Sequence, residues 1–305
     1  MSLPLAANLL DVAWWTLVGI LVAGLLCVCY GIFIERTWYR TAKYRLQVLP
    51  GGASAPLTVL HMSDLHFVRR DVRMAGFLAG LPRADIAVVT GDMLGEPQGL
   101  EGVVAAVRPV RGRVGSYFVL GSNDYFVPKP LNYTNYFRRT PKRRVGERSR
   151  SEELIRALEA DGWVHLKNRR LSATNDGVRL EVVGMDDPHI ERHDLRVAPR
   201  HDPEAFGLAV VHSPDPAPEL VALGYQLILS GHTHGGQVRM PFLGALVTNS
   251  QVPTKLCMGL SRFGSTYLHI SPGLGTSKYA PFRFLCRPEA TILELAAAEP
   301  ARTTR

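Results

Sequence analysis

Apolar residues fall along this chain in two patterns. One is a single long run: the 23 positions from Val12 to Ile34 carry no charged side chain. A helix of that length rises roughly 34 Å, enough for a hydrocarbon core of about 30 Å. The other pattern is short and repeated. Leu57 to Met62, Asp85 to Thr90, Tyr117 to Leu120, Leu208 to Val211 and Tyr225 to Leu229 are mostly unbroken apolar stretches, each closed by Ser, Gly or His. Runs of this kind predict β-strands buried on both faces.

Helical spacing appears between the strands. Ser151-Glu152-Glu153 opens a helix with a capping hydroxyl and early acids; Leu154, Ile155 and Leu158 give it an apolar face, and Asp161-Gly162 ends it. Pro216 to Leu223 supplies another. Alternation of the two patterns predicts a layered α/β fold, with binding residues at the C-terminal ends of the strands. Thr266 to Ile270 and Ala290 to Leu295 return to a β pattern and are expected to complete a second sheet, with the chain from Ala296 fraying. Gly51 to Pro56 reads as a linker. Two parts are therefore expected: residues 1–50, a transmembrane helix with a basic juxtamembrane segment, and residues 51–305, a globular domain.

The flanks of the long run sharpen this reading. Trp14 and Trp15 sit at one end, and Trp38 and Tyr39 follow the other, as interfacial aromatics do. No basic residue precedes the run and no small-residue cleavage site follows it, so an uncleaved single span is expected rather than a signal peptide. Arg36, Arg40, Lys43 and Arg45 lie directly after it. The positive-inside rule then puts the domain on the cytoplasmic side of the cell membrane, with these cations near anionic headgroups.

Net charge is +8, from 35 basic and 27 acidic residues. The excess sits in that juxtamembrane stretch and in Phe137 to Arg150, FRRTPKRRVGERSR, and the rest is balanced. A nucleic-acid partner is not expected from so local an imbalance. The second basic stretch reads as a solvated loop or as a flap over anionic substrate, with Tyr125, Phe126, Tyr133, Tyr136 and Phe137 as its apolar underside or as core. Four cysteines without a Cys-x-x-Cys pair read as packing residues.

Chemistry is concentrated at the strand ends. Five blocks recur there: Asp64-Leu65-His66, Gly91-Asp92, Gly121-Ser122-Asn123-Asp124, Val211-His212-Ser213-Pro214, and Gly231-His232-Thr233-His234-Gly235-Gly236-Gln237. Imidazoles, carboxylates and a neutral oxygen donor together are the inventory of a site for two divalent cations. These blocks, with Gly273-Leu274-Gly275-Thr276-Ser277 and Arg283-Phe284 downstream, resemble the calcineurin-like metallophosphoesterase superfamily in its bacterial membrane-associated branch. The resemblance covers about residues 57–295 and implies an α/β/β/α sandwich and metal-dependent hydrolysis of a phosphoric ester by water.

Carried over by position, the resemblance implies that Asp64, His66 and His234 hold a first metal, Asp92 bridges, and His212 and His232 hold a second with a side-chain oxygen from the third block. Mn, Fe and Zn all suit such a set. The family commonly has Gly-Asn-His followed by an acid in that block; here Gly121-Ser122-Asn123-Asp124 stands instead. Asn123 is favoured over Ser122 as the ligand, because a neutral hydroxyl binds metal weakly. An amide cannot deliver a proton, so Asp92, Asn123 and His232 form the expected catalytic group without the usual imidazole acid.

The resemblance extends to substrates. A phosphodiester or pyrophosphate in a lipid-linked or cell-envelope molecule is expected, with UDP-2,3-diacylglucosamine hydrolase-like chemistry a candidate and membrane lipid a partner. A nucleotide phosphodiesterase docked at the membrane and a metal-binding scaffold with residual activity are the competing readings. Lys278, Tyr279 and Arg283 are implied as phosphate contacts. Asp186-Asp187-Pro188-His189, after the Leu180 to Gly184 stretch, is placed to reach the pocket but, as an isolated cluster, reads as structural, as does His61; His165, His193, His201 and His269 carry no spacing argument.

Overall fold

The computed structural model describes residues 3–50, 53, 55–130 and 146–298. A helix, α1 (Leu3–Phe33), leads into β1 (Arg40–Leu49). Then follow β2 (Leu57–Met62), α2 (Val72–Ala79), β3 (Ile86–Thr90), α3 (Leu100–Val107), β4 (Gly115–Val119), the single turn α4 (Ser122–Tyr125), α5 (Ser151–Ala160) and β5 (Val164–His165). The second half holds β6 (Arg169–Asn175), β7 (Val178–Gly184), β8 (Phe206–Val210), α6 (Ala217–Ala222), β9 (Leu227–Ser230), β10 (Arg239–Met240), β11 (Gly244–Ala245), β12 (Gly259–Phe263), β13 (Thr266–Ile270) and β14 (Glu289–Ala297).

Two six-stranded sheets result, in the orders β1-β14-β2-β3-β4-β5 and β12-β13-β9-β8-β7-β6, while β10 and β11 form a separate hairpin. The predicted strands are buried on both faces because each sheet is covered twice. Val59, Val88, Val119 and Leu293 meet Val182, Leu208, Leu227 and Leu229 between the sheets. On the outer side of the first sheet, Leu60, Ala87 and Phe118 pack with Met74 and Leu78 of α2, Val103 and Val107 of α3, and Leu154 and Leu158 of α5. Leu220 of α6 joins Ala209, Ile228 and Leu268 outside the second sheet. The layers are α/β/β/α, as the family resemblance implies.

β2, β3 and β4 run parallel in one sheet, and β7, β8, β9 and β13 run parallel in the other. Their C-terminal ends bring the predicted blocks together at one edge of the sandwich.

The segment after α1 departs from expectation. Residues 40–49 are not a free juxtamembrane stretch: β1 pairs in parallel with β14 from Arg40↔Glu289 onward. Arg40 pairs with Glu289 at 2.7 Å and Arg45 with Glu294 at 3.4 Å. The alternation Tyr44, Leu46, Val48 supplies the inward face that makes this a strand. β14 is the strand expected near the C-terminus, but it joins the first sheet and not the second. α1 itself is apolar, and its described side chains from Leu9 to Val28 are mostly exposed.

Candidate metal centre

Each block occupies a tight turn after its strand. Asp64, His66, Asp92, His232 and His234 all have positive φ, from 49° to 68°. Left-handed backbone is uncommon for residues with a Cβ, and its concentration here marks stored conformational cost at a functional site. Hydrogen bonds between loops hold it: Asp64 N donates to Gly91 O (3.0 Å), His66 N to Asp92 O (3.0 Å), Gly231 N to His212 O (2.8 Å) and Gly275 N to Asp64 O (2.6 Å). Gly121 is required by space. A Cβ there would lie 2.3 Å from Asp92 Oδ1 and 2.6 Å from His212 Cε1.

The side chains converge with their lone pairs inward. Asp64 Oδ2 accepts from Ser63 Oγ (2.5 Å) and His232 N (3.0 Å), leaving buried Oδ1 without a hydrogen-bond partner among the described residues. His234 Nε2 lies 3.5 Å from that Oδ1 and 3.1 Å from His66 Nε2. Asp92 faces both ways, with Oδ2 3.7 Å from His66 Nε2 and Oδ1 3.6 Å from His212 Nε2. His212 Nδ1 donates to Thr90 O (2.6 Å), which frees Nε2; His232 Nε2 donates to Asn249 O (2.9 Å), which frees Nδ1. Those two remaining nitrogens are 3.1 Å apart, within hydrogen-bond distance of one another. Two groups, Asp64–His66–His234 and Asp64–Asp92–His212, hold their donor atoms close enough to share an ion. A buried carboxylate oxygen with no donor, surrounded by imidazole lone pairs, is a cation site by chemistry.

Charge follows the same logic. Burial drives the pKa of His66, His232 and His234 down, His232 to about 4, so the imidazoles stay neutral and ready to ligate. His212 goes the other way: burial opposes its charge, but Asp92, Asp187 and Asp64 outweigh it and raise the pKa to about 9. Burial also works against Asp92, yet His212, His66 and the Asn123 N–H hold its carboxyl below the usual range. For Asp64 burial wins and the pKa rises.

Asn123 is inside the cluster. Its N–H donates to Asp92 Oδ1 (2.8 Å) and its amide to Asp92 Oδ2 (2.5 Å). Asp124 is buried and accepts from Gly121 N and Leu94 N, so it fixes the turn. Tyr125 is core, donating to Asp186 Oδ1 (2.7 Å), and Phe126 packs with it; Tyr133, Tyr136 and residues 137–145 of the basic stretch lie outside the described residues.

Three sequence readings change. Arg283 is not a phosphate contact: it is fully buried, and its Nη2 donates to Pro272 O, Gly273 O and Gly275 O. Because Gly275 N reaches Asp64 O, this guanidinium buttresses the metal loop. Lys278 is paired with Glu96. Most consequentially, His189 belongs to the site surroundings, its ring centroid 4.3 Å from that of His232 and its Nε2 3.4 Å from Asn249 Nδ2. Its position just beyond β7, parallel to β8, was the available signal. Asn249, far from any motif, had none.

Comparison with known proteins agrees with this geometry. Residues 57–236 match the family model for calcineurin-like phosphoesterases. The chain belongs to that family and is a metal-dependent phosphoester hydrolase acting on a phosphate-containing substrate. It is 26% identical to the uncharacterized metallophosphoesterase YkuE of Bacillus subtilis over 87% of this chain and 88% of that one. It is 25% identical to phosphodiesterase YaeI of Escherichia coli over 87% and 92%. A Bos taurus transmembrane protein with a metallophosphoesterase domain is 28% identical over 85% of this chain and 57% of its own.

Proposed function

We propose that the chain is a membrane-anchored phosphodiesterase or pyrophosphatase working with two divalent cations. Asp64, His66 and His234 hold one, His212, His232 and Asn123 the other, and Asp92 spans both. The observation that carries this is the disposition of Asp92, one oxygen toward His66 and the other toward His212. Two cations, when bound, supply an activated water and neutralise charge building on the phosphoryl group. The chain's own contribution is to fix the ligands: Thr90 and Asn249 set the imidazole tautomers, and the Asn123 amide orients Asp92.

α1 crosses the membrane once in this reading, with the domain on the cytoplasmic side. Its exposed apolar surface supports the span, and the basic residues after it support the orientation. The substrate is a phosphodiester or pyrophosphate of a lipid-linked or envelope molecule, of the UDP-diacylglucosamine type. With Asn123 in place of an imidazole, leaving groups that need no proton are favoured.

Elemental analysis should find two transition-metal ions per purified chain. Asp92→Asn should remove at least one and lower hydrolysis of bis(p-nitrophenyl) phosphate at least about a hundredfold, beyond what loss of an outer contact costs. Full activity in that variant would end the two-cation reading. A comparison of vesicle-borne with soluble substrate separates the lipid reading from a nucleotide phosphodiesterase.

A further inference from the structure

Between His234 and Asn249 the chain leaves the metal site, forms the β10–β11 hairpin and returns. Met240 to Thr254 is 15 residues without a charged side chain. At the hairpin tip Phe242 is 107% exposed and Leu243 74%, with Leu246 at 58% on the return. The turn is strained as well. Leu243 N donates to Pro241 O (2.8 Å) around Phe242 at φ 64°, a γ-turn of the rare hand on a bulky residue. Nothing among the described residues covers the ring that this strain presents to solvent.

The root of the hairpin is fixed to the end of α1. Val238 bridges Phe284, and Arg239 N donates to Phe284 O (2.9 Å). The Phe284 ring meets Tyr30 of α1 edge-on, centroids 6.3 Å apart. Glu35, just past α1, is buried and accepts from Leu285 N (2.9 Å) and Cys286 N (2.5 Å). Around the same helix end lie half-exposed Trp38, with the Arg287 guanidinium 4.0 Å above its ring, and exposed Arg73, which reaches Thr37. A half-exposed aromatic under one guanidinium, with a second cation nearby, at the helix end that anchors the root of an apolar hairpin is the composition of an interfacial surface.

Resting on the reading of α1 as a span, we propose that the Met240–Leu246 hairpin inserts into the same bilayer as a second contact, seating the mouth of the metal site against the headgroup layer. The loop that leaves His234 and returns through Asn249 to His232 is then both ligand support and membrane wedge. The site takes a phosphoester borne on a lipid from the plane of the membrane, and the tether does more than concentrate a soluble enzyme near it.

The test uses the full chain in phosphatidylcholine–phosphatidylglycerol vesicles, with Cys27→Ser and Cys29→Ser to free the labelling chemistry. Bimane on Phe242→Cys should be quenched by shallow doxyl lipids and shielded from aqueous iodide; bimane on Val22→Cys reports the span. Quenching at 22 with an iodide-open, lipid-blind label at 242 overturns the wedge. Absence of quenching at 22 overturns the span beneath it. In Phe242→Ser/Leu243→Ser, hydrolysis of a vesicle-borne phosphodiester should fall about tenfold or more, while bis(p-nitrophenyl) phosphate stays within about twofold. Equal loss on both substrates would make the hairpin a support of the metal loop alone and would also overturn the proposal.

Discussion

Asn123 sits with its amide against Asp92, in the block where the family resemblance implies an imidazole. If that departure sets the choice of leaving group, Asn123→His, compared with the parent at equal metal content because residue 123 is also the proposed second-cation ligand, should accelerate hydrolysis of an alkyl phosphodiester toward the roughly 10²–10⁴-fold that a general acid contributes, and change an activated aryl diester little. Equal rates on both for the variant and the parent would remove the argument. His212 gives a second expectation. In the metal-free site its pKa is raised to about 9, so near pH 7.5 it carries a proton that a cation must displace. Calorimetry of Mn binding in buffers of different ionisation enthalpy should show proton release at pH 7.5, vanishing above about pH 9, with weaker binding as pH falls. That these side chains would gather at one place was legible in the sequence, because each block combines metal-binding residue types with a strand end. The supporting groups were not. Asn249 acts through a backbone carbonyl, which any residue offers, and Arg283 was read as a phosphate contact although its Nη2 is spent on three carbonyls in the interior.

At the level of elements, the joint between α1 and the domain was the least visible part. Composition marked residues 35–45 as a basic juxtamembrane stretch, yet Glu35 is buried and Arg40–Leu49 is a strand. The pairing with Glu289 and Glu294 lies some 249 positions away and leaves no local trace. Gly31 fixes how closely the helix approaches. A Cβ there would fall 2.2 Å from the Phe282 ring and 2.5 Å from Arg283 O, whereas one at Gly24 meets nothing within 4 Å. Gly31→Ala should therefore cost about 1–3 kcal/mol, seen as a lower Tm in detergent, with Gly24→Ala unchanged. The central buried strands and the helices α5 and α6 were, by contrast, plain from the alternation of short apolar runs with helical spacing, whereas α2 and α3 were not singled out.

Across the whole molecule the two sheets share a polar contact in their core. His61 of β2 and His269 of β13 face each other, Nδ1 to Nδ1 at 2.8 Å, and His61 Nε2 lies 2.9 Å from Thr90 Oγ1. Burial lowers both pKa values, His269 to about 3, and His165 is lowered to about 4 for the same reason. An unfolded chain binds protons at these rings near pH 6.5. Their contribution to stability is thus complete above that pH and is lost as pH falls toward 4 and below. The urea midpoint, measured with chelator, should drop through that window, and His269→Gln should flatten the drop. Another consequence follows from β14 lying between β1 and β2. Ribosomes add roughly 5–20 residues per second, so β1 waits on the order of ten to fifty seconds for its neighbour while α1 is already available for insertion. A nascent chain halted before residue 289 leaves β1 unpaired on a half-built sheet, and its survival depends on whatever shields that edge during translation.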